Sequence, residues 1–333
     1  MSELVKGLRD AGFLNMRSVD EWPEVEVIET RLDGINNVVI GCGGLPLGRT
    51  VELYAKPSLG KTTLTLNWIR DCLDAGGNAC FYDMEGSFPL DYAKNIIGDN
   101  FSKLVMGDAA HGHDCLHQIK QLIALNLFHL IVVDSIKALQ PKAVADGVTE
   151  KKAKSKSKIG QTEGPKSQHE NFARAKMMSE FYQDIRGGYQ IRTNQGELIP
   201  SDKEYFINGE KTNKYHKLQD KNTCLVLINH QMDKQGVMFG SKVATPGGDA
   251  GKFDASVRLR IINKKKSKKK DKLGTPEFRL VEIIADKNKM GPPFRSALFQ
   301  MQKNGIFLDA GAAKVSDDDY EDIESEDEGV DDE

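Results

Sequence analysis

Five cysteines in 333 residues, at positions 42, 72, 80, 115 and 224, form no C-x-x-C pair and no metal-like cluster. This excludes a disulfide scaffold and a zinc finger, and fits a reduced, cytosolic setting. Long apolar runs are missing too. Leu130–Val133 is among the longest, far short of the roughly 18 residues a membrane helix needs. The opening MSELVKGLRD mixes both charge signs, unlike a secretory leader. No internal repeat is visible. What is present is a hydrophobic share of 39%, enough for a core, and a charged share of 29% that points to solvated segments outside it. The length suits one large α/β domain or two smaller ones.

Basic residues are scarce at one end. Residues 317–333 carry 12 acidic side chains and no basic one, inside a chain of net charge −3. The remaining 316 residues hold 46 basic against 37 acidic side chains, the 49 of the whole chain less those 12, for a net +9. A basic body with an acidic tail points to a polyanionic partner and a tail that competes for the same surface. The alternative is a disordered, solubilising tail over 311–333.

Periodicity predicts strands at Val51–Tyr54, Ala79–Asp83, Leu130–Asp134 and Leu225–Asn229, with further strands at Ser256–Ile262, Phe278–Ala285 and Ala297–Gln300. Trp22–Thr30 also reads as strand-like. Helical stripes run over residues 3–12, Lys61–Ala75, Asp114–Asn126 and Phe172–Ile185. Alternating strands and helices in the first half argue for an α/β fold with a mostly parallel twisted sheet flanked by helices. Polar stretches interrupt this pattern at 148–168, which includes KKAKSKSK, and at 187–222. Residues 264–272 hold seven lysines between two strands and read as a hairpin tip.

The sharpest signal is Ala55-Lys56-Pro57-Ser58-Leu59-Gly60-Lys61-Thr62-Thr63, between a strand and a helix. This is the phosphate-binding loop pattern with alanine in the first glycine position. Backbone N–H groups must curl round phosphates, and Gly60 permits the turn. The helix N-terminus adds partial positive charge. Lys61 reaches the β- and γ-phosphates, and the Thr62 hydroxyl is suited to Mg2+. Asp134 closes the apolar run LIVVD 73 residues after Lys61, where a carboxylate holds the same ion, directly or through water. Asp83 and Glu85, in FYDMEG, fall on one face if their strand continues. One of them is then suited to orient or deprotonate an attacking water; the alternative is an exposed acidic turn.

The ordered series GGLPLGRTVELYAKPSLGKTTL, FYDMEG, LIVVDS, LINHQMDKQGVMFG, TPGGDAGKFDASVRL and DKNKMGPPF resembles the RecA family of ATP-dependent DNA strand-exchange proteins. The resemblance covers about residues 27–300 outside the polar insertions, and its compact form is similar to phage recombinases of the UvsX kind. It implies a RecA-like ATPase core over 27–310 behind a short oligomerisation segment at 1–26. ATP and Mg2+ are the implied cofactors. Glu85 becomes the water-activating carboxylate, Tyr92 the adenine-stacking ring and His230 the γ-phosphate sensor, where the family usually has glutamine. Residues 144–171 take the place of a first DNA loop and 231–251 of a second, with Lys234, Val237, Met238, Gly247 and Gly248 toward DNA. Lys287 and Lys289 match a pair that reaches ATP across a subunit seam, and Lys252, Phe253 and Arg258 match the same seam.

The implied partners are single-stranded DNA, homologous duplex DNA, further copies in a helical filament, a single-strand-binding protein and a loader. No membrane is implied. The location is cytoplasmic, the host's cytoplasm if phage-encoded. Departures from the family pattern are Ala55, the stiff Pro57, Gln235 at an expected wedge position and a tail directly after the core. The lysine tracts at 151–158 and 264–272 offer substitute phosphate contacts, or are solvated surface runs. Other readings of the fold are a ring-forming helicase and a non-catalytic ATP-switched DNA-binding mediator.

Overall fold

Apolar runs bounded by turns become strands buried on both faces. In the computed structural model, which describes residues 3–146, 166–207, 210–233, 243–310 and 320–322, these are β1 (Thr50–Ala55), β2 (Ala79–Asp83), β3 (Val105–Gly107), β4 (Leu130–Asp134) and β5 (Cys224–His230). Along β4, Leu130 and Val132 enter one apolar cluster while Ile131 and Val133 enter the other. Alternate residues of a strand face opposite sides, so two helical layers are needed to cover such a sheet.

The remaining sheet strands are β6 (Val257–Ser267), β7 (Phe278–Asn288), β8 (Ser296–Gln302), β9 (Phe307–Asp309) and β10 (Tyr320–Asp322). Together they form one 10-stranded sheet in the order β9-β8-β7-β6-β1-β5-β4-β2-β3, with β10 pairing β6 off that path. Pairing is parallel from β6 through β1, β5, β4 and β2 to β3, and antiparallel from β6 through β7 and β8 to β9. The expected mostly parallel core is therefore present, extended by an antiparallel meander.

Among the helices are α1 (Glu3–Asp10), α2 (Lys61–Asp74), α3 (Leu90–Ile97), α4 (Gly112–Leu125), α5 (Lys166–Gly187) and a short α6 (Ala250–Asp254). Leu64, Trp68, Ile69, Cys72 and Leu73 of α2 pack in the first cluster, as their spacing predicts. The helix expected over Phe172–Ile185 starts earlier, and Phe172 itself is exposed. Its buried stripe is Met177, Met178, Phe181, Tyr182 and Ile185.

Four expectations change. Residues 187–222 are not a loose polar insertion: Tyr189, Ile191, Ile199 and Leu218 pack into the second cluster. Isolated bridges Tyr189–His216 and Arg192–Leu198 and a hairpin pairing Tyr205–Ile207 with Glu210–Thr212 tie the stretch together. The lysine tract is only partly a hairpin tip, because β6 runs on through Lys264–Lys266 to a fully buried Ser267. Trp22–Thr30 holds just a two-residue strand, Val27–Ile28, paired with Leu45–Pro46. The acidic tail is not wholly without structure. Tyr320–Asp322 pairs antiparallel with Lys265–Ser267, putting Glu321 in register with Lys266; the rest of 317–333 lies outside the described residues. The tract at 151–158 lies outside them as well.

Near the N-terminus, Val5 of α1 is buried, Arg9 pairs with Glu21 at 2.7 Å, and the Asn15 amide donates to the Phe206 carbonyl at 2.8 Å. Phe13, Val19 and Trp22 remain exposed. Among the described residues, no helix is long and apolar enough to cross a membrane.

Candidate nucleotide site

Parallel strands deliver their C-terminal ends to one edge of a sheet, and ligands gather there. Here β1 ends at Ala55, β4 at Asp134 and β5 at His230, with Ala55 and His230 paired in register. The chain turns from β1 into α2 through Lys56–Gly60. Gly60 has φ 84° and precedes the first helical residue. Any side chain there is strained, and a Cβ would lie 2.5 Å from the Met301 sulfur. The positive φ is what calls for glycine at this point. The free N–H groups at the start of α2 supply anion-binding donors.

Lys61 is only 7% exposed. Its ammonium donates to the carbonyls of Ala55 at 3.3 Å and Lys56 at 3.1 Å. Burial lowers its pKa, against the opposing pull of Asp134 and Glu85. Thr62 donates its hydroxyl to Asp134 at 2.5 Å. Asp134 is 8% exposed, and burial, with Glu85 and Asp83 nearby, pushes its carboxyl up to about 6.

Glu85 faces the same space. Its Oε1 accepts from the Ser135 hydroxyl and lies 3.0 Å from His230 Nε2. Burial raises the Glu85 pKa, but the contacts with Ser135, His230 and Lys61 outweigh it and hold it below the ordinary value. The His230 imidazole is pushed down by burial and then by Lys61, against the pull of Glu85. Its Nδ1 is buried with no hydrogen-bond partner among the described residues.

Asp83 has a different task. The strand ends at this residue, and the carboxylate accepts from the backbone N–H groups of Glu85 at 3.2 Å and Phe88 at 2.7 Å. It therefore caps the turn that presents Glu85, and the two acids do not share a strand face.

A cleft of about 500 Å³ joins these groups, lined by Pro57, Ser58, Gly60–Thr63, Glu85, Tyr92, Asp134 and His230, and closed by Met301 and its neighbours on β7 and β8. That volume is in the range of small-ligand sites. The donor set fits a magnesium nucleotide. A hydroxyl and a buried carboxylate side by side are hard oxygen ligands, and a buried acid held near a second acid is stabilised by a divalent cation. The described residues contain no group of three or more His, Cys, Asp or Glu that could hold a metal.

The RecA N-terminal domain family matches residues 11–188 and 211–307. The chain is 33% identical over 285 residues to Protein RecA of Mycoplasma genitalium, covering 86% of this chain and 69% of that one. It is 34% identical over 266 residues to Protein RecA of Acinetobacter baylyi, covering 80% and 62%. The chain belongs to the RecA family. Among solved structures, that of a RadB recombinase covers 84% of the chain at 16% identity and a TM-score of 0.47.

The family match pauses over 189–210, the stretch whose bridges and hairpin sequence periodicity did not predict. The other expected RecA-type positions divide into three groups. Lys234, Val237 and Met238 lie outside the described residues. Gly247 and Gly248, at φ 90° and 71°, are needed for protein packing. A Cβ on Gly247 would lie 3.1 Å from Ile136, and one on Gly248 would lie 2.7 Å from Ala175 of α5. The space left by their missing side chains is taken by α5 and the loop after β4.

Lys287 and Lys289 lie away from the cleft. The Lys287 ammonium donates to the carbonyls of Lys252 and Phe253, each at 2.7 Å. Burial, and then the charge of Lys289, push its pKa down to about 8. Beside it Phe253 is 72% exposed, and Lys252 pairs with Asp249 at 2.7 Å. Arg258 is not a surface residue. It is 7% exposed, pairs with buried Glu52 at 2.7 Å and stacks over the Tyr54 ring at 4.7 Å.

Sequence reasoning missed the Ser135–Glu85 contact and the Arg279 guanidinium, which donates to the Ser58 carbonyl at 3.3 Å. The LIVVDS string carried a signal for the former. For the latter, 221 residues from its partner, there was none.

Proposed function

We propose that this chain is an ATP-dependent DNA recombinase that coats single-stranded DNA as a filament and pairs it with homologous duplex. The observation that carries this reading is the meeting of Lys61, the Thr62–Asp134 pair and the Glu85–His230 contact in one cleft. MgATP bound there supplies a phosphoanhydride whose γ-phosphoryl group transfers to water, with the metal offsetting its charge.

Each protein group has a task. The α2 N-terminus and Lys61 hold the phosphates. Thr62 and Asp134 hold the metal, and Tyr92 takes the base. Glu85 orients the attacking water. Its pKa lies below the ordinary value, so it acts more by placing water than by strength as a base. His230 ends β5, and the residues that follow it include the expected second DNA loop. A shift of His230 between Glu85 and phosphate therefore moves the start of that loop, which couples nucleotide state to DNA binding.

Exposed Phe253 and the nearby lysine pair lie off the cleft, as suits groups that complete the site of a neighbouring copy. A head-to-tail contact of this kind propagates as an open filament. DNA held through phosphates is bound without sequence preference and loosens in salt. The UvsX-like subgroup is part of the same proposal and rests on Ala55 and His230.

The test is MgATP turnover with and without an oligo(dT) strand, together with electron microscopy of the same mixtures. Open filaments and DNA-stimulated turnover, both lost in Lys61→Ala, support the reading. Closed rings would instead favour a helicase, and DNA binding without turnover a mediator.

A further inference from the structure

Three antiparallel strands carry one row of side chains toward the phosphate loop. In register, Lys266 of β6 is opposite Arg279 of β7, and Arg279 is opposite Met301 of β8. Residues directly opposite across a ladder share a face. Met301 packs beneath Gly60, and the Arg279 guanidinium reaches the Ser58 carbonyl at 3.3 Å. Two adjacent strands of the meander therefore touch the same short loop at two points.

The loop needs that support. Ser58 has φ 62° and Gly60 φ 84°, two left-handed residues within three positions. Glycine adopts this conformation freely, but serine carries a Cβ that strains it. A donor on the Ser58 carbonyl favours this orientation of the peptide. The row is itself anchored. Lys303 of the β8–β9 turn forms an ion pair with Asp271 of the hairpin, and its N–H donates to the Glu277 carbonyl at 2.8 Å. Arg279 and Lys303 both line the nucleotide cleft, adding two cations of the same chain to Lys61.

We propose that Arg279 is a positioning residue for the nucleotide, acting within its own chain. It holds the Ser58 carbonyl and so fixes the loop in the turn whose N–H groups face phosphate. It sets nucleotide affinity and takes no part in phosphoryl transfer. The inference rests on the reading that the cleft takes MgATP.

The test measures Kd for MgATP and MgADP, by competition with a methylanthraniloyl nucleotide, for the unmodified chain, Arg279→Gln, Arg279→Lys and Lys61→Ala. Turnover at saturating ATP with oligo(dT) and the melting midpoint without nucleotide are read alongside. Arg279→Gln raises both Kd values about tenfold, the loss of one partly exposed charge-assisted hydrogen bond. Its kcat stays within about twofold and its midpoint within about 2 °C. Arg279→Lys keeps the charge without the fork and lies between, at about threefold. It serves as the test variant should the glutamine form not fold. Kd values equal to the unmodified chain's in the arginine variants overturn the proposal. So does a rise of Kd accompanied by a matching fall of kcat and midpoint, which marks a plain structural brace. Nucleotide binding that is absent from the unmodified chain, or that survives Lys61→Ala, counts against the cleft reading instead.

Discussion

Asp134→Asn makes the fold more stable while removing the carboxylate proposed to hold Mg2+. The buried carboxyl titrates at about 6 in the fold, against an ordinary value near 3.8. The folded chain therefore binds the proton more tightly than the unfolded one. Below pH 4 the group is neutral in both states and costs nothing. Between pH 4 and 6 the unfolded chain ionises first, and stability falls as pH rises. Above pH 6 the full difference is present. About two pKa units at 1.36 kcal/mol each come to roughly 3 kcal/mol. Asparagine keeps an oxygen for the Thr62 hydroxyl and carries no charge, so it recovers most of that amount.

For a chain of this size, 3 kcal/mol raises the melting midpoint by about 5 °C. The measurement is thermal unfolding in EDTA, without nucleotide, at pH 7.5 and at pH 4. The variant gains at pH 7.5 and converges with the unmodified chain at pH 4. In MgATP the order reverses, because only the unmodified chain gains from ligand. A variant that is less stable at pH 7.5 in EDTA would refute the reasoning, since Asp134 would then be a favourable buried charge.

Other perturbations separate roles that share this neighbourhood. Glu85→Gln keeps nucleotide affinity within about threefold and slows single-turnover hydrolysis about 10²–10³-fold, toward the lower part of the range for a general base; an unchanged rate removes Glu85 from that role. Arg258→Met leaves Glu52 buried with, among the described residues, Asn229 as its remaining side-chain donor at 2.8 Å, and lowers the stability of the isolated chain by about 3–5 kcal/mol in urea unfolding. If that variant has normal stability but cannot assemble, Arg258 belongs to a subunit seam after all. Removing residues 317–333 strengthens oligo(dT) binding at low salt and changes it little at high salt, because the tail's 12 acids compete with DNA for cations. Equal binding at both salt levels leaves the tail a solubiliser.

What could be read from residues alone was whatever is local. The phosphate loop, Asp134 and the strands around them are short strings whose chemistry depends on adjacent residues. Glu85 was legible as one of two acids. The family resemblance singled out Glu85; the turn that Asp83 caps, which separates the two acids physically, depends on where β2 ends. Residues 187–222 misled because Tyr189, Ile191, Ile199 and Leu218 are few and follow no period. Their burial comes from the second apolar cluster, not from one another. Nothing local in the sequence revealed that Glu52, 206 residues before Arg258, meets it inside the sheet. Contacts of that kind arise from register between distant strands, which no spacing rule encodes.

The most direct test of the whole account is strand exchange between a circular single strand and its homologous linear duplex, with Mg2+ and either ATP or a slowly hydrolysed analogue. Joint molecules are expected with both nucleotides, none with ADP, and none from Lys61→Ala. Joint molecules that form without nucleotide, or a chain that stays monomeric on DNA in saturating MgATP, would contradict the account.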